Sequence, residues 1–319
     1  MTLSHILQFE PEYRDYVWGG AHLRPAIVPT AEAWIIYEHN RVLSGSLAGR
    51  TLSELSATHG AELLGSRVVQ RTGTRFPLLI KLLDCARWLS LQVHPNDEQA
   101  ITLEGPGQFG KTEAWHVLQA EQGARLIGGL KPGVDPQTMA AAIRDGKILE
   151  LARYLEAHSG DTVFMPPGTI HAIGPGLIIY EIQETSDLTY RVWDWDRPQS
   201  SGRLLHIEKS LAVADAGSQP ELHPLPPISD GQAAELTRCP YFTLQRLEAQ
   251  SSRFELDTRS ESFHAITVIA GCAEIHSGGE QLRLDPYQSA LIPAASGKYT
   301  LTPIGYFSLL KASVEAAEW

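Results

Sequence analysis

The sequence predicts a mainly β protein, a sandwich or barrel with short helical insertions, and three observations carry that prediction. Runs such as WIIYEH (34–39), FPLLIKLLD (76–84), LSLQV (89–93), DTVFMP (161–166), GLIIYEI (176–182), YRVWDW (190–195), HAITVIA (264–270) and SALIPA (289–294) are short, β-branched or aromatic, and bounded by Gly, Pro or Asp. They follow one another too closely for a helix to alternate with each strand, which argues against a doubly wound parallel sheet. Finally, 319 residues with 43% apolar and 20% charged content suit one large or two modest globular domains.

Helical segments interrupt this pattern twice. Residues 51–65, TLSELSATHGAELLG, open with Thr51 and Glu54 at capping-box spacing. Between 135 and 158, Asp135-Pro136 reads as an N-cap followed by proline at the first helical position. Met139, Ile143, Ile148, Leu151 and Leu155 then recur at helical spacing, with Gly146 as a break, so two short helices are expected there. The Pro-rich stretch 217–232, GSQPELHPLPPISDGQ, reads as a linker. It divides a first domain, 1–216, from a C-terminal β domain, 233–319. MPPGTIH (165–171) and IPAASGK (292–298) each end a strand-rich stretch, the echo expected of two copies of one module. Lys298 then stands where the first copy has His171, so no metal site is expected in the second.

Composition narrows the partners. With 26 basic and 37 acidic residues the net charge is −11, which disfavours nucleic acid. Cys85, Cys239 and Cys272 form no CxxC pair, as suits a reducing compartment. The N-terminal residues lack a basic and apolar leader, and no segment reaches the ~20 apolar residues of a membrane span. A cytoplasmic protein without a membrane partner is the expectation.

Any metal must therefore be held by imidazole and oxygen donors. In LSLQVHPND, Gln92 and His94 lie two apart and share a strand face. In GKTEAWHV, alternation sets Lys111 and Glu113 on one face. In GDTVFMPPGTIHAIG, a turn follows the strand and projects His171 back. Each residue alone reads most simply as structural: a satisfied histidine, a solvated Lys–Glu pair, an unremarkable glutamine. Arg191 alone reads as a partner of Asp194 in an edge strand. Together, two histidines, a glutamate and a glutamine make a four-donor N/O set with room for water or substrate. Lys81, in the middle of FPLLIKLLD, is a buried cation that needs a partner or an anionic ligand.

Gly160, Pro166, Gly168 and His171 resemble the second motif of the cupin superfamily. With FPLLIKLLD, LSLQVHPND, GKTEAWHV, PPGTIHAIG and EIQETSDLTYRVWDWDR in order, the chain resembles the type I, zinc-dependent mannose-6-phosphate isomerases in their short bacterial form. The resemblance runs from about Tyr16 to Glu208 and fades beyond Gly217. It implies a cupin barrel (a double-stranded β-helix or jelly roll) that carries the active site, and a second, degenerate cupin-like β domain. By matched position it further implies one Zn2+ per chain on Gln92, His94, Glu113 and His171. Arg191 would face the reacting carbons, Glu181 would be the active-site glutamate, Lys81 and Lys111 would line the pocket, Ser90 would lie at the phosphate end, and Asp187 would assist proton transfer. His116 departs from a commoner tyrosine, with the pocket wall as the place expected to change, and Pro175 from the asparagine of other cupins. The implied reaction is the reversible isomerisation of mannose 6-phosphate and fructose 6-phosphate through a cis-enediol. Glu181, Lys111, Asp187 and a metal-bound water all remain open as the base, and monomer and dimer are both open. Two alternatives stand beside it: another metal-dependent cupin acting on a phosphorylated sugar, and a non-catalytic sugar-phosphate-binding cupin.

Overall fold

The computed structural model describes residues 3, 5–24, 29–197 and 203–314. Two compact units form: Met1–Glu12, Trp34–Ile80 and Leu225–Trp319 make one, Tyr13–Ala33 and Lys81–Pro224 the other. A single boundary at 217–232 was expected; the chain crosses near there, between Pro224 and Leu225, and at three earlier points as well. Those crossings depend on which strands pair, and local composition carries no trace of that.

The fold is mainly β, with strands pairing antiparallel in both units. One sheet orders Glu12–Arg14, Glu32–Ile36, Leu78–Cys85, Leu177–Glu184, Glu113–Ala120, Thr162–Met165 and Leu222–His223; a second orders Tyr190–Trp193, Leu91–Val93, His171–Ile173, Arg125–Leu130 and Ala152–Glu156. Their facing sides meet in one core: Leu83, Trp115, Val117, Val163 and Ile179 from the first sheet pack with Leu126 and Ile173 from the second. The outer side of the second sheet carries Leu91, Val93, Ile127, Ala172, Tyr190 and Val192, covered by Met139 and Ile143 of the helix Pro136–Arg144 and Val213 of the helix Ile207–Val213. Because side chains alternate along a strand, burial of Leu91 and Val93 on that outer side turns Gln92 inward, and burial of Ala172 does the same for His171.

The remaining sheet belongs to the other unit. It orders Gln232–Arg238, Thr243–Ala249, Lys298–Ser313, His264–Ser277 and Glu280–Leu284, with Phe254–Asp257 and Ser289–Ile292 pairing onto its two long strands. Its core gathers Leu247, Ile266, Val268, Leu301, Phe307 and Leu309.

Local expectations meet the structure unevenly. Thr51 caps the helix Leu52–His59 through a full capping box, Glu54 N donating to Thr51 Oγ1 at 3.2 Å and Thr51 N to Glu54 Oε2 at 3.0 Å. Asp135 caps the helix Pro136–Arg144 by accepting from Gln137 N and Thr138 N at 2.9 Å each. The second helix expected before His158 is corrected: Ile148–Glu150 is one 3-10 turn, and Ala152–Glu156 is a strand paired with Arg125–Leu130. Ile148, Leu151 and Leu155 are too few to fix a period, and pairing with Arg125–Leu130 decides the outcome. Within the stretch read as a linker, Leu222 and His223 pair with Val163 and Thr162. The two echoed motifs do share a layout, each running from a strand through a turn with a left-handed glycine, Gly168 (φ 84°) or Gly297 (φ 63°), into the next strand.

Candidate metal centre and its cavity

Polar residues take over the facing sides where the apolar core ends. On the Leu78–Cys85 strand, Cys85 and Leu83 give way to Lys81; on Glu113–Ala120, Val117 and Trp115 give way to Glu113; on Leu177–Glu184, Leu177 and Ile179 give way to Glu181. Across from them Gln92 stands opposite both His171 and Arg191 in neighbouring strands. All three inward series change character at one end of the sandwich, so the strand periodicity alone gathers these groups.

Among the described residues, His94, Glu113 and His171 bring ligand atoms within 4.8 Å of one another, all buried. The His171 Nε2 lies 3.2 Å from Glu113 Oε1, and the His94 Nε2 lies 3.6 Å from Oε2. Each ring is fixed from behind: the Nδ1–H groups of His94 and His171 donate to the carbonyls of Leu188 at 2.8 Å and Thr169 at 2.9 Å. That leaves both Nε2 lone pairs facing the centre, the tautomer a metal requires. The Gln92 carboxamide reaches the same point, its Nε2 lying 3.3 Å from His171 Nε2. A half-turn of that amide presents its oxygen instead.

The protonation states suit a cation. Burial, with Lys111 beside it, pushes His94 well below the ordinary imidazole value, and burial with Lys111 lowers His171 to about 3. Both rings are neutral at physiological pH. Burial likewise raises Glu113 to about 7 against the opposing pull of Lys111, with Glu181 adding to the rise. Lys111 Nζ lies 2.7 Å from Glu113 Oε2 and 3.0 Å from His94 Nε2, so its ammonium stands where these donors converge. Two imidazole nitrogens and a buried carboxylate aimed at one point form an N/O donor set, and a divalent ion fits it in place of that ammonium.

Next to this centre lies a cavity of about 270 Å³, lined by Lys81, Ser90, Gln92, Lys111, Glu181, Asp187 and Arg191, and also by Tyr16, Trp18, Glu32, Leu83, Leu89, Thr189 and Arg203. Charges alternate along its floor. Glu32 Oε2 is 3.7 Å from Lys81 Nζ, Lys81 is 3.3 Å from Glu181 Oε1, and Glu181 is 3.8 Å from Lys111. Burial disfavours the Lys81 ammonium, but Glu181 and Glu32 outweigh it and raise its pKa; burial likewise opposes the Glu181 carboxylate, and Lys81 and Lys111 outweigh it and lower its pKa. Both groups are therefore charged in a dry site. Arg191 sits at the wall, its Nη1 donating to the Leu204 carbonyl at 2.9 Å while its Nε is buried with no acceptor. Ser90 Oγ donates to Gln92 Oε1 at 3.4 Å, and Asp187 is exposed at the cavity edge.

All ten site residues singled out in the sequence thus meet at this centre or its cavity. His116 does not: it occupies the opposite side of its strand, buried, with Nδ1 2.9 Å from Thr162 Oγ1, so its departure from tyrosine does not reshape the wall. Tyr16, Glu32, Thr189 and Arg203 escaped the sequence reading. Glu32 carried one signal, an acidic residue inside the apolar run AEAWII, which only acquires meaning beside Lys81.

Comparison with known proteins follows the same lines. The family model of the phosphomannose isomerase type I catalytic domain matches residues 6–109. The chain is 35% identical over 308 residues to mannose-6-phosphate isomerase ManA of Bacillus subtilis, covering 92% of this chain and 95% of that protein. It is 35% identical over 304 residues to the mannose-6-phosphate isomerase of Streptococcus mutans, covering 91% and 93%. Among solved structures, the mannose 6-phosphate isomerase from Bacillus subtilis superposes with a TM-score of 0.82 at 29% identity, over 97% of this chain and 99% of that one.

Proposed function

Since the chain belongs to the type I phosphomannose isomerases, we propose that it interconverts mannose 6-phosphate and fructose 6-phosphate at the cavity beside the His94–Glu113–His171 centre. The observation that carries this reading is the pairing of two backbone-fixed imidazoles aimed at a buried carboxylate with a cavity floored by two ammoniums. In our reading the metal is one Zn2+ per chain, held by Gln92, His94, Glu113 and His171. When bound, it supplies Lewis acidity towards the sugar oxygens and acidifies a bound water.

The chain's own residues do the rest. A carboxylate removes the proton from C2 of the aldose, O2 yields its hydroxyl proton as O1 gains one, and the C2 proton is returned to C1. Negative charge builds on O1 and O2 in between. Lys111, Lys81 and Arg191 are the fixed positive groups that meet it, and preorganised charge of this kind is worth more than proton transfer alone. We assign the base to Glu181, kept ionised by Lys81 and Lys111, with Asp187 completing the proton path at the open edge. Ser90 stands at the phosphate end. The catalytic domain corresponds to the unit Tyr13–Ala33 and Lys81–Pro224. No helix among the described residues is long and apolar enough to cross a membrane, and we place the reaction in the cytoplasm.

The test is conversion of mannose 6-phosphate by the purified chain before and after chelation, with Zn2+, Co2+ or Mn2+ restored separately. Activity lost on chelation and recovered best with Zn2+ supports the reading. Full activity in chelated protein overturns the metal's role, and no turnover in zinc-loaded protein overturns the reaction.

A further inference from the structure

The C-terminal sheet repeats, in its own unit, the layout that builds the metal centre. Ile266, Leu247 and Leu309 lie on its inner face as core. Two residues further along each strand, the same face becomes polar: His264, Gln245 and Lys311, with Gln245 opposite Lys311 and His264 opposite Ser313 in the pairing register. These four residues line a cavity of about 630 Å³, a volume within the ~300–1,000 Å³ of small-molecule sites. Lys311 is the buried charge among its lining residues; Glu255, Asp257 and Arg259 are exposed, and Arg67 pairs with Glu261 at 2.8 Å at the rim. The phenyl ring of Phe254 and the side chain of Leu256 supply an apolar wall.

The rim is also strained. Arg259 and Ser260 are consecutive non-glycine residues in the left-handed region, at φ 53° and 58°. Such residues cost free energy and persist where their surroundings fix them. Here Ser66 N donates to the Ser260 carbonyl and Arg67 N to the Glu261 carbonyl, both at 3.1 Å. Gly65 allows that approach, since a Cβ there would lie 2.3 Å from the Glu261 carbonyl oxygen. The strained turn keeps Arg259 on the cavity's edge.

We propose that this second cavity binds a phosphorylated sugar, independently of the metal centre. Lys311 and Arg259 meet the phosphate, Gln245, Ser313 and the neutral imidazole of His264 meet hydroxyls, and Phe254 and Leu256 take the C–H face of the ring. His264 is the one imidazole among the described residues that line this cavity, so it lacks the two-histidine set of the first module and the ligand is bound and not transformed.

Equilibrium dialysis of the metal-loaded full chain with labelled fructose 6-phosphate, left to equilibrate with its isomer, counts the sites. We expect two equivalents per chain, and one for Lys311→Gln, whose kcat/KM stays within about twofold because Lys311 lies outside the catalytic machinery. Gln245→Leu, which leaves the buried cation in place, weakens the second site at least tenfold and serves if Lys311→Gln does not fold. Inorganic phosphate displaces the second equivalent, whereas gluconate and fructose do not. One equivalent in the unaltered chain that both variants keep, two in both variants, or displacement by gluconate in place of phosphate overturns the proposal. One equivalent that Lys311→Gln abolishes would instead remove the metal centre from the count, so failure here is distinct from failure of the isomerase reading.

Discussion

Each residue of the metal centre has a separable job, and that makes the centre testable one side chain at a time. His171 supplies a lone pair that nothing else in its strand replaces. His171→Ala is therefore expected to lose the metal and the activity together, read by metal analysis of the purified protein and by a coupled isomerase assay. Arg191 touches no ligand atom, and its guanidinium never deprotonates under working conditions. Arg191→Ala should keep full metal content and lose ~10²–10³-fold in kcat, the usual cost of one preorganised donor. Metal lost from the Arg191 variant, or retained by the His171 variant, would exchange their roles. These residues were legible because an i, i+2 spacing on a strand survives any tertiary arrangement: Gln92 and His94 were bound to share a face. Glu32 was not legible. Its place beside Lys81 depends on a strand pairing between residues about fifty positions apart, and no local pattern encodes that.

At the level of elements, the strands that hold the centre tolerate little side-chain volume at their crossings. Gly174 has no left-handed φ to explain it; a Cβ there would come within 2.1 Å of the Arg125 carbonyl and 3.0 Å of the Trp88 ring. Gly174 N donates to that same carbonyl at 3.1 Å. Gly174→Ala must then push the His171–Ile173 strand away from Arg125–Leu130, and is expected to cost ~1–3 kcal/mol in denaturant unfolding, as overpacking does. A change within ~0.3 kcal/mol would mean that the crossing is looser than its geometry. Helix ends were readable in advance, since Thr51, Glu54 and Asp135 cap through bonds spanning three residues or fewer. Ala152–Glu156 was misread as helix for the opposite reason: its state is fixed by Arg125–Leu130 more than twenty residues earlier. Loss of the cap in Asp135→Ala is correspondingly a local matter, a small fall in the thermal unfolding midpoint with metal content unchanged.

Across the whole molecule, an acidic chain of net charge −11 concentrates buried cations and neutral imidazoles where anions are to be bound, and that arrangement sets its response to acid. His264 is the informative case, because it lies far in sequence from any metal ligand. Burial and, after it, Lys311 lower its pKa from 6.5 to about 3, while its Nδ1 lies 2.7 Å from the Tyr299 hydroxyl. In the unfolded chain the same ring titrates near 6.5. Below that pH the unfolded state binds a proton that the native state refuses, so stability falls as the pH drops from about 6.5 towards about 3 and is unaffected above. The contribution approaches ~1.4 kcal/mol per pH unit over that window. His264→Gln keeps a polar partner for Tyr299 and abolishes the titration. Urea unfolding of metal-free protein between pH 4 and 7 should show a shallower acid limb for the variant, by up to one proton. Lys311→Gln should flatten the same limb in part, by removing the positive neighbour that helps to hold the ring neutral. Parallel acid limbs in all three proteins would mean that His264 is already solvated in the native state, and a solvated His264 could not serve as a neutral hydrogen-bonding wall of the second cavity.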